Sequence, residues 1–194
     1  MSDDDPLSAL TPVLKVLRDL GVRHYVGGSI ASSAHGISRT SVDADVVADL
    51  QAAHVAPLVS ALGATYYVPE QRVRDAVLRR GSFNLIHLET MLKVDVFVAK
   101  DRPFDRRALD RAGEHGMTAV DGSPIPLASA EDVILAKLEW YRRGGETSDR
   151  QWGDILGVLR ASGAQLDRRY LDEGSRELGV ADLLERALNE AGQE

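Results

Sequence analysis

The sequence predicts an α/β (α+β) chain: strands interleaved with helices up to a soft boundary near Leu127, and helices alone after it. Three observations carry this. Apolar residues up to position 126 switch repeatedly between the period of a strand and that of a helix. A Gly27-Gly28-Ser29 turn separates the first strand-like run from a short helical one. From Ser129 onward every periodic segment has helical spacing. The expected division is therefore 1–127 and 128–194, with no low-complexity linker and no internal repeat.

Composition narrows the classes. The chain has 194 residues, 44% hydrophobic and 27% charged, the profile of a globular protein. No apolar run approaches the ~20 residues of a membrane span, and Met1-Ser2-Asp3-Asp4-Asp5 is acidic where a secretory signal is basic and then apolar. We therefore expect a cytoplasmic protein with no membrane partner. It has no cysteine, which excludes disulfides, thiolate zinc sites and cysteine nucleophiles. A net charge of −7 argues against sequence-independent coating of nucleic acid but leaves room for a local basic patch.

In order along the chain, residues 6–20 place Leu7, Leu10, Leu14, Leu17 and Leu20 on one helical stripe, with Gly21 as its stop. Residues 22–27 form the first strand and 29–35 a short helix whose free N–H groups face the glycine turn, a ready anion site. A second strand covers 39–50, a helix 51–62, a short strand 64–68 and a helix 70–80. Strands 83–89 and 91–99 suggest a hairpin about Glu89-Thr90. In the latter, alternation puts Leu92, Val94, Val96 and Val98 on one face and Lys93, Asp95 and Phe97 on the other. A charged helix at 103–112 and one short strand and turn at 117–126 follow. The helices are 129–142, 149–161, 167–178 and 180–191, with capping boxes at Ser129-x-x-Asp132 and Ser148-x-x-Gln151.

The chemistry concentrates in 24–50. Asp43 and Asp45, two residues apart on a strand, point to one face, where two anions are costly without a cation between them. Such a pair alone is equally what a solvated strand start looks like. The glycine turn upstream and Asp95 in a later apolar strand change its meaning. If the two strands are adjacent, three carboxylates converge before the turn, the arrangement of two-metal phosphoryl or nucleotidyl transfer.

The pattern Gly27-Gly28-Ser29, Arg39-Thr40, Asp43-x-Asp45 and Asp95 resembles the nucleotidyltransferase superfamily. Together with the run from Ala128 to Arg142 around Lys137, and Ser148-x-x-Gln151-Trp152-x-Asp154, it is most similar to the AbiEii-type toxin nucleotidyltransferases and the proteins grouped near them. The resemblance spans about residues 22–160. It implies a mixed β-sheet flanked by helices, with a helical C-terminal region completing the cleft. It also implies an NTP substrate and a two-metal Mg²⁺ site on Asp43, Asp45 and Asp95, with Asp95 accepting the proton of the attacking hydroxyl. By the same resemblance Gly27, Gly28 and Ser29 contact the phosphates, and Lys137 and Asp154 join the catalytic set. Arg39 and Thr40, just before the carboxylates, either touch phosphate or brace the turn, with phosphate contact favoured for Arg39. The acceptor stays open among tRNA, protein and a small molecule such as an antibiotic, as does a cognate antitoxin. The alternative is a non-catalytic, antitoxin-like nucleotide-binding partner.

Lys137 has independent support. Its neighbours at i−4, i−3, i+3 and i+4 are Val133, Ile134, Trp140 and Tyr141, so it interrupts an apolar stripe and must snorkel or meet an anion. Asp154 sits at the edge of a stripe of Trp152, Ile155, Leu156 and Leu159, where an ordinary surface acid also fits. His24, His35, His54, His87 and His115 show no ligand spacing. Arg72, Arg74, Arg79 and Arg80 gather on one helix, either a solvated face or an acceptor-binding patch.

Overall fold

Apolar side chains at every second position of two central strands set the architecture. The computed structural model describes residues 6–36 and 43–192, Asp43 by its backbone alone. In β2 (Asp43–Ala48) the residues Ala44, Val46 and Ala48 are buried on one face. In β5 (Lys93–Val98) Val94, Val96 and Val98 do the same. The two strands pair in parallel, with Asp45 opposite Asp95 and Val46 opposite Val96. Parallel neighbours need a long crossover between them, and here it contains α3 (Val55–Leu62), β3 (Tyr66–Tyr67), α4 (Glu70–Arg79) and β4 (Ser82–His87).

With β1 (His24–Val26), β6 (Gly113–Thr118) and β7 (Pro124–Leu127) these strands form one seven-stranded mixed sheet of order β3-β4-β5-β2-β1-β7-β6. One face is covered by α1 (Pro6–Asp19), α3 and α4, whose Leu10, Leu14, Leu58, Leu62 and Val73 join Val46, Leu85, Val94 and Val96 in a single apolar cluster. The buried Tyr66 hydroxyl in that cluster donates to the carbonyl of Ala9 (2.5 Å), which removes the cost of an unpaired polar group. The other face packs Tyr25 and Ala31 against α5 (Pro103–Arg111), α6 (Ala130–Arg143), α7 (Asp149–Ser162), α8 (Arg168–Leu178) and α9 (Ala181–Ala191). No helix among the described residues is long and apolar enough to cross a membrane.

Several expected elements differ in detail. The segment 51–62 starts as a 3₁₀ turn at Ala52–His54, where His54 Nδ1 accepts from the Gln51 amide (3.0 Å), before α3 proper. The single strand expected at 117–126 is a hairpin of β6 and β7 about Asp121-Gly122, with a register shift between Glu114 and Thr118. Gly113, Glu114, His115 and Gly116 are too polar and too glycine-rich to read as strand. Arg80 lies beyond α4 with φ at 48°, outside the expected helical face.

Candidate active site

The turn after β1 is built onto the β2 acid. The Gly27 amide donates to the Asp45 carbonyl (2.9 Å). Gly28 has φ of +54°, and a Cβ there would fall 1.7 Å from Asp45 Oδ2, so only glycine allows the backbone to lie against that carboxylate. Ser29 follows, buried, at the start of α2 (Gly28–Ala34). Ser32 and Ser33 donate to the carbonyls of Gly28 (2.7 Å) and Ser29 (2.9 Å), tying the helix back on the turn. At seven residues α2 contributes amide N–H groups more than a macrodipole.

Register then does what spacing could only suggest. Asp45 and Asp95 are cross-strand partners, so their carboxylates leave the same face of strands about 4.8 Å apart. Asn84 is Asp95's partner on β4, which completes a polar row of Asn84, Asp95 and Asp45. Lys93, two residues before Asp95, places its ammonium 2.8 Å from Asp95 Oδ2. The backbone of Asp43 pairs with Lys93 at the same end of β2. The phosphate contacts expected of Arg39 and Thr40 fall outside the described residues, as does the Asp43 side chain.

The opposite wall comes from α6 and α7. Ser129 caps α6 by accepting from the Asp132 amide (3.1 Å), and Ser148 caps α7 by accepting from Gln151 (3.3 Å). These caps orient helices whose facing sides carry Lys137 and Asp154. Lys137 Nζ donates to Asp154 Oδ2 at 2.9 Å, with only 12% and 8% of the two side chains exposed. The lysine that interrupts an apolar stripe thus meets an anion, and Asp154 is a buried acid, not a surface one.

Between these walls lies a cavity of about 610 Å³, within the range of sites for small ligands. It is lined by Gly27, Gly28, Ser29, Asp45 and Asp95 from the sheet side and Lys137 and Asp154 from the helices. Seven residues expected to serve phosphate, metal or catalysis, Gly27, Gly28, Ser29, Asp45, Asp95, Lys137 and Asp154, therefore share one space. Among the described residues no group of three or more His, Asp or Glu is placed to hold a metal ion. Two hard carboxylates, Asp45 and Asp95, do share the row. That set fits Mg²⁺, which takes one or two carboxylates together with substrate phosphates and water. The close seat of Gly28 on Asp45 leaves no room there for a side chain, so the backbone of the turn lies directly against the carboxylate.

The rest of the cavity was not visible in the sequence. Arg102 bonds Asp105 (2.6 Å) and Glu139 (2.7 Å), and Arg143 also reaches Glu139 (2.5 Å). Burial is the largest single effect and works against both charges of the Arg102–Glu139 pair, but their hydrogen bond together with the charges around them outweighs it and holds Glu139 below its ordinary value. Beside them the Lys100 ammonium is pushed down, first by burial and then by the Arg102 charge. Arg102 and Glu139 lie far apart in the chain, so no local spacing announces the pair. Deeper in, Asp132 accepts from Tyr170 (2.6 Å) and Ser129 (2.8 Å), and its burial raises its pKa.

Two sets outside the core of the site resolve plainly. His24 Nδ1 donates to Val22 (2.7 Å), His35 Nε2 to Ala128 (2.8 Å), and His87 bonds Thr90 (2.9 Å), so these rings brace turns and loops. The expected arginine patch is divided. Arg74 pairs with Glu70 (2.5 Å) on α4, whereas Arg80 turns into the cavity rim and bonds the Ala99 carbonyl (3.1 Å) and Asp101 (3.0 Å).

No protein-family model matches the chain, and no curated protein does. Solved structures do. An antigenic nucleotidyltransferase-like protein from Paracoccidioides brasiliensis is similar with a TM-score of 0.59, over 98% of this chain and 92% of its own, at 17% identity. The solution structure of the antibiotic-resistance factor ANT(2'')-Ia gives 0.54 over 95% and 93%, at 13% identity. A crystal structure of ANT(2'')-Ia with adenylyl-2''-tobramycin gives 0.53 over 89% and 96%, at 12% identity. Identities this low speak to fold alone: the chain has the nucleotidyltransferase fold.

Proposed function

We propose that this chain, built on the nucleotidyltransferase fold, moves a nucleoside monophosphate from an NTP to an acceptor hydroxyl. The observation that carries the reading is the register of Asp45 with Asp95 directly before the Gly28 turn, facing Lys137 across one cavity. Residues 1–127 supply the turn and the acids, and residues 128–194 close the cleft.

The Gly27, Gly28 and Ser29 segment, with Arg39 and Thr40, holds the triphosphate through N–H, hydroxyl and guanidinium donors. Asp43, Asp45 and Asp95 hold Mg²⁺, which when bound offsets the charge gathering on the phosphate oxygens. Asp95 takes the proton of the attacking hydroxyl, whose oxygen bonds to the α-phosphorus while the bond to the bridging oxygen breaks and pyrophosphate leaves. Lys93 keeps a positive charge against the outer edge of Asp95. Lys137 supplies a cation to the phosphates, and Asp154 holds it in place beforehand.

Acceptors of three kinds fit this chemistry: tRNA for a toxin-type enzyme restrained by an antitoxin, a protein side chain, or a small molecule. A small-molecule adduct, adenylyl-2''-tobramycin, is held by ANT(2'')-Ia, a protein of the same fold. A chain that only binds nucleotide remains the contrasting reading, and it has no use for Asp95 opposite Asp45.

The test is incubation with Mg²⁺, total tRNA and cell lysate, with NTPs labelled at either the α- or the γ-phosphate. The proposal expects α-label on an acceptor, γ-label only in pyrophosphate, and neither with Asp45→Asn. Nucleotide binding without transfer by the wild-type chain would favour the non-catalytic reading.

A further inference from the structure

The cavity has a second tier. Two residues beyond Asp95 on the same face of β5 comes Phe97, and one turn beyond Lys137 on α6 comes Trp140. Both line the cavity. The two rings meet edge to face, with centroids 5.8 Å apart at 65°. Stepping along either element from the charged tier therefore ends at the same aromatic corner, about 6.6 Å further on if measured along the strand. The Arg143 guanidinium lies 5.6 Å from the Trp140 ring centre.

Trp140 is nonetheless 48% exposed, whereas its helix neighbours Leu138 and Tyr141 are buried. Among the described residues the other exposed large apolar side chains, Tyr67, Leu78, Leu88, Met91 and Val120, do not line the cavity. A large indole steadied by an edge-on phenyl and a guanidinium, and open toward a cavity, offers a planar surface of the kind on which aromatic ligands stack.

We infer that Phe97 and Trp140 receive the nucleobase of the bound nucleotide, with Trp140 as its stacking surface. This rests on the reading above that the triphosphate is held at Gly28, Asp45 and Asp95. The two tiers together match a molecule anionic at one end and planar and aromatic at the other. Every base has a π-face, so a stacking surface predicts affinity for all four common NTPs with little choice among them.

Calorimetric titration in Mg²⁺ with ATP, GTP, CTP, UTP and inorganic tripolyphosphate tests this on the wild-type chain, Trp140→Ala and Trp140→Phe. The wild type should bind each NTP roughly tenfold or more tighter than tripolyphosphate. Trp140→Ala should remove most of that margin and Trp140→Phe restore most of it, with tripolyphosphate affinity constant throughout. An unchanged margin in Trp140→Ala, or a parallel loss for tripolyphosphate, overturns the inference. If wild-type chain binds tripolyphosphate and NTPs equally, the base platform falls while the phosphate reading stands. If it binds neither, both fall.

Discussion

The two faces of the sheet divide the labour. Against α1, α3 and α4 the sheet packs a large apolar cluster in which the buried Tyr66 hydroxyl is satisfied by the Ala9 carbonyl. Between the other face and α6 and α7, the half-buried Asp45 and Asp95 and the nearly enclosed Lys137 and Asp154 line one cavity. The same strands serve both, because alternation sends Val94, Val96 and Val98 one way and Asp95 and Phe97 the other. The first face should govern stability and the second activity, and substitutions can separate them.

The largest contrast is expected from Asp45→Asn. On our reading it costs about 10³-fold or more in turnover, since several kcal/mol of charge stabilisation is lost, and the thermal midpoint stays close to that of the wild type. Label-transfer rates beside a melting curve check both halves. A different signature is expected from Lys137→Met, which takes the ammonium away from a carboxylate only 8% exposed and should cost about 3 kcal/mol of stability. Adding Asp154→Leu should recover most of that loss in urea unfolding without recovering transfer. On the apolar face, Leu85→Ala should cost about 2–5 kcal/mol while the activity per folded molecule is unchanged, read from urea midpoints and rates well below the transition.

Smaller effects sharpen the boundary. Ser129→Ala removes the cap of α6 and a donor to Asp132, for about 1 kcal/mol or somewhat more. His24 is one pH-sensitive element. Burial lowers its pKa most, the Arg18 charge adds to this, and its bond to the Val22 carbonyl opposes them. With the folded value below the unfolded 6.5, stability is complete above pH 6.5 and falls as pH drops through the folded value. Substituting His24 with Gln should flatten that part of the acid limb in unfolding measured across pH.

Much of this was legible because it is local. Alternation placed Asp95 opposite the apolar face, the glycine turn marked the approach to Asp45, and the i±3 and i±4 neighbours of Lys137 marked it as a lysine that needs an anion. What stayed hidden is non-local. Arg102 with Glu139, and Phe97 with Trp140, join residues on separate elements, and no spacing rule connects them. The β6–β7 hairpin did leave a signal, the Asp121-Gly122 pair, which is a strong hairpin turn. It was masked by the polar glycine-containing run before it. Arg80 shows the opposite failure, since helical periodicity continues through it while its backbone turns left-handed and carries the side chain to the cavity rim.

The central claim is that the sheet acids and the Lys137 helix act on the same phosphates. A double-mutant cycle of Asp45→Asn and Lys137→Met on Mg²⁺–NTP affinity tests it most directly. The two losses should fail to add, with a coupling of about 1 kcal/mol or more. Losses that add to within about 0.5 kcal/mol would contradict a shared site.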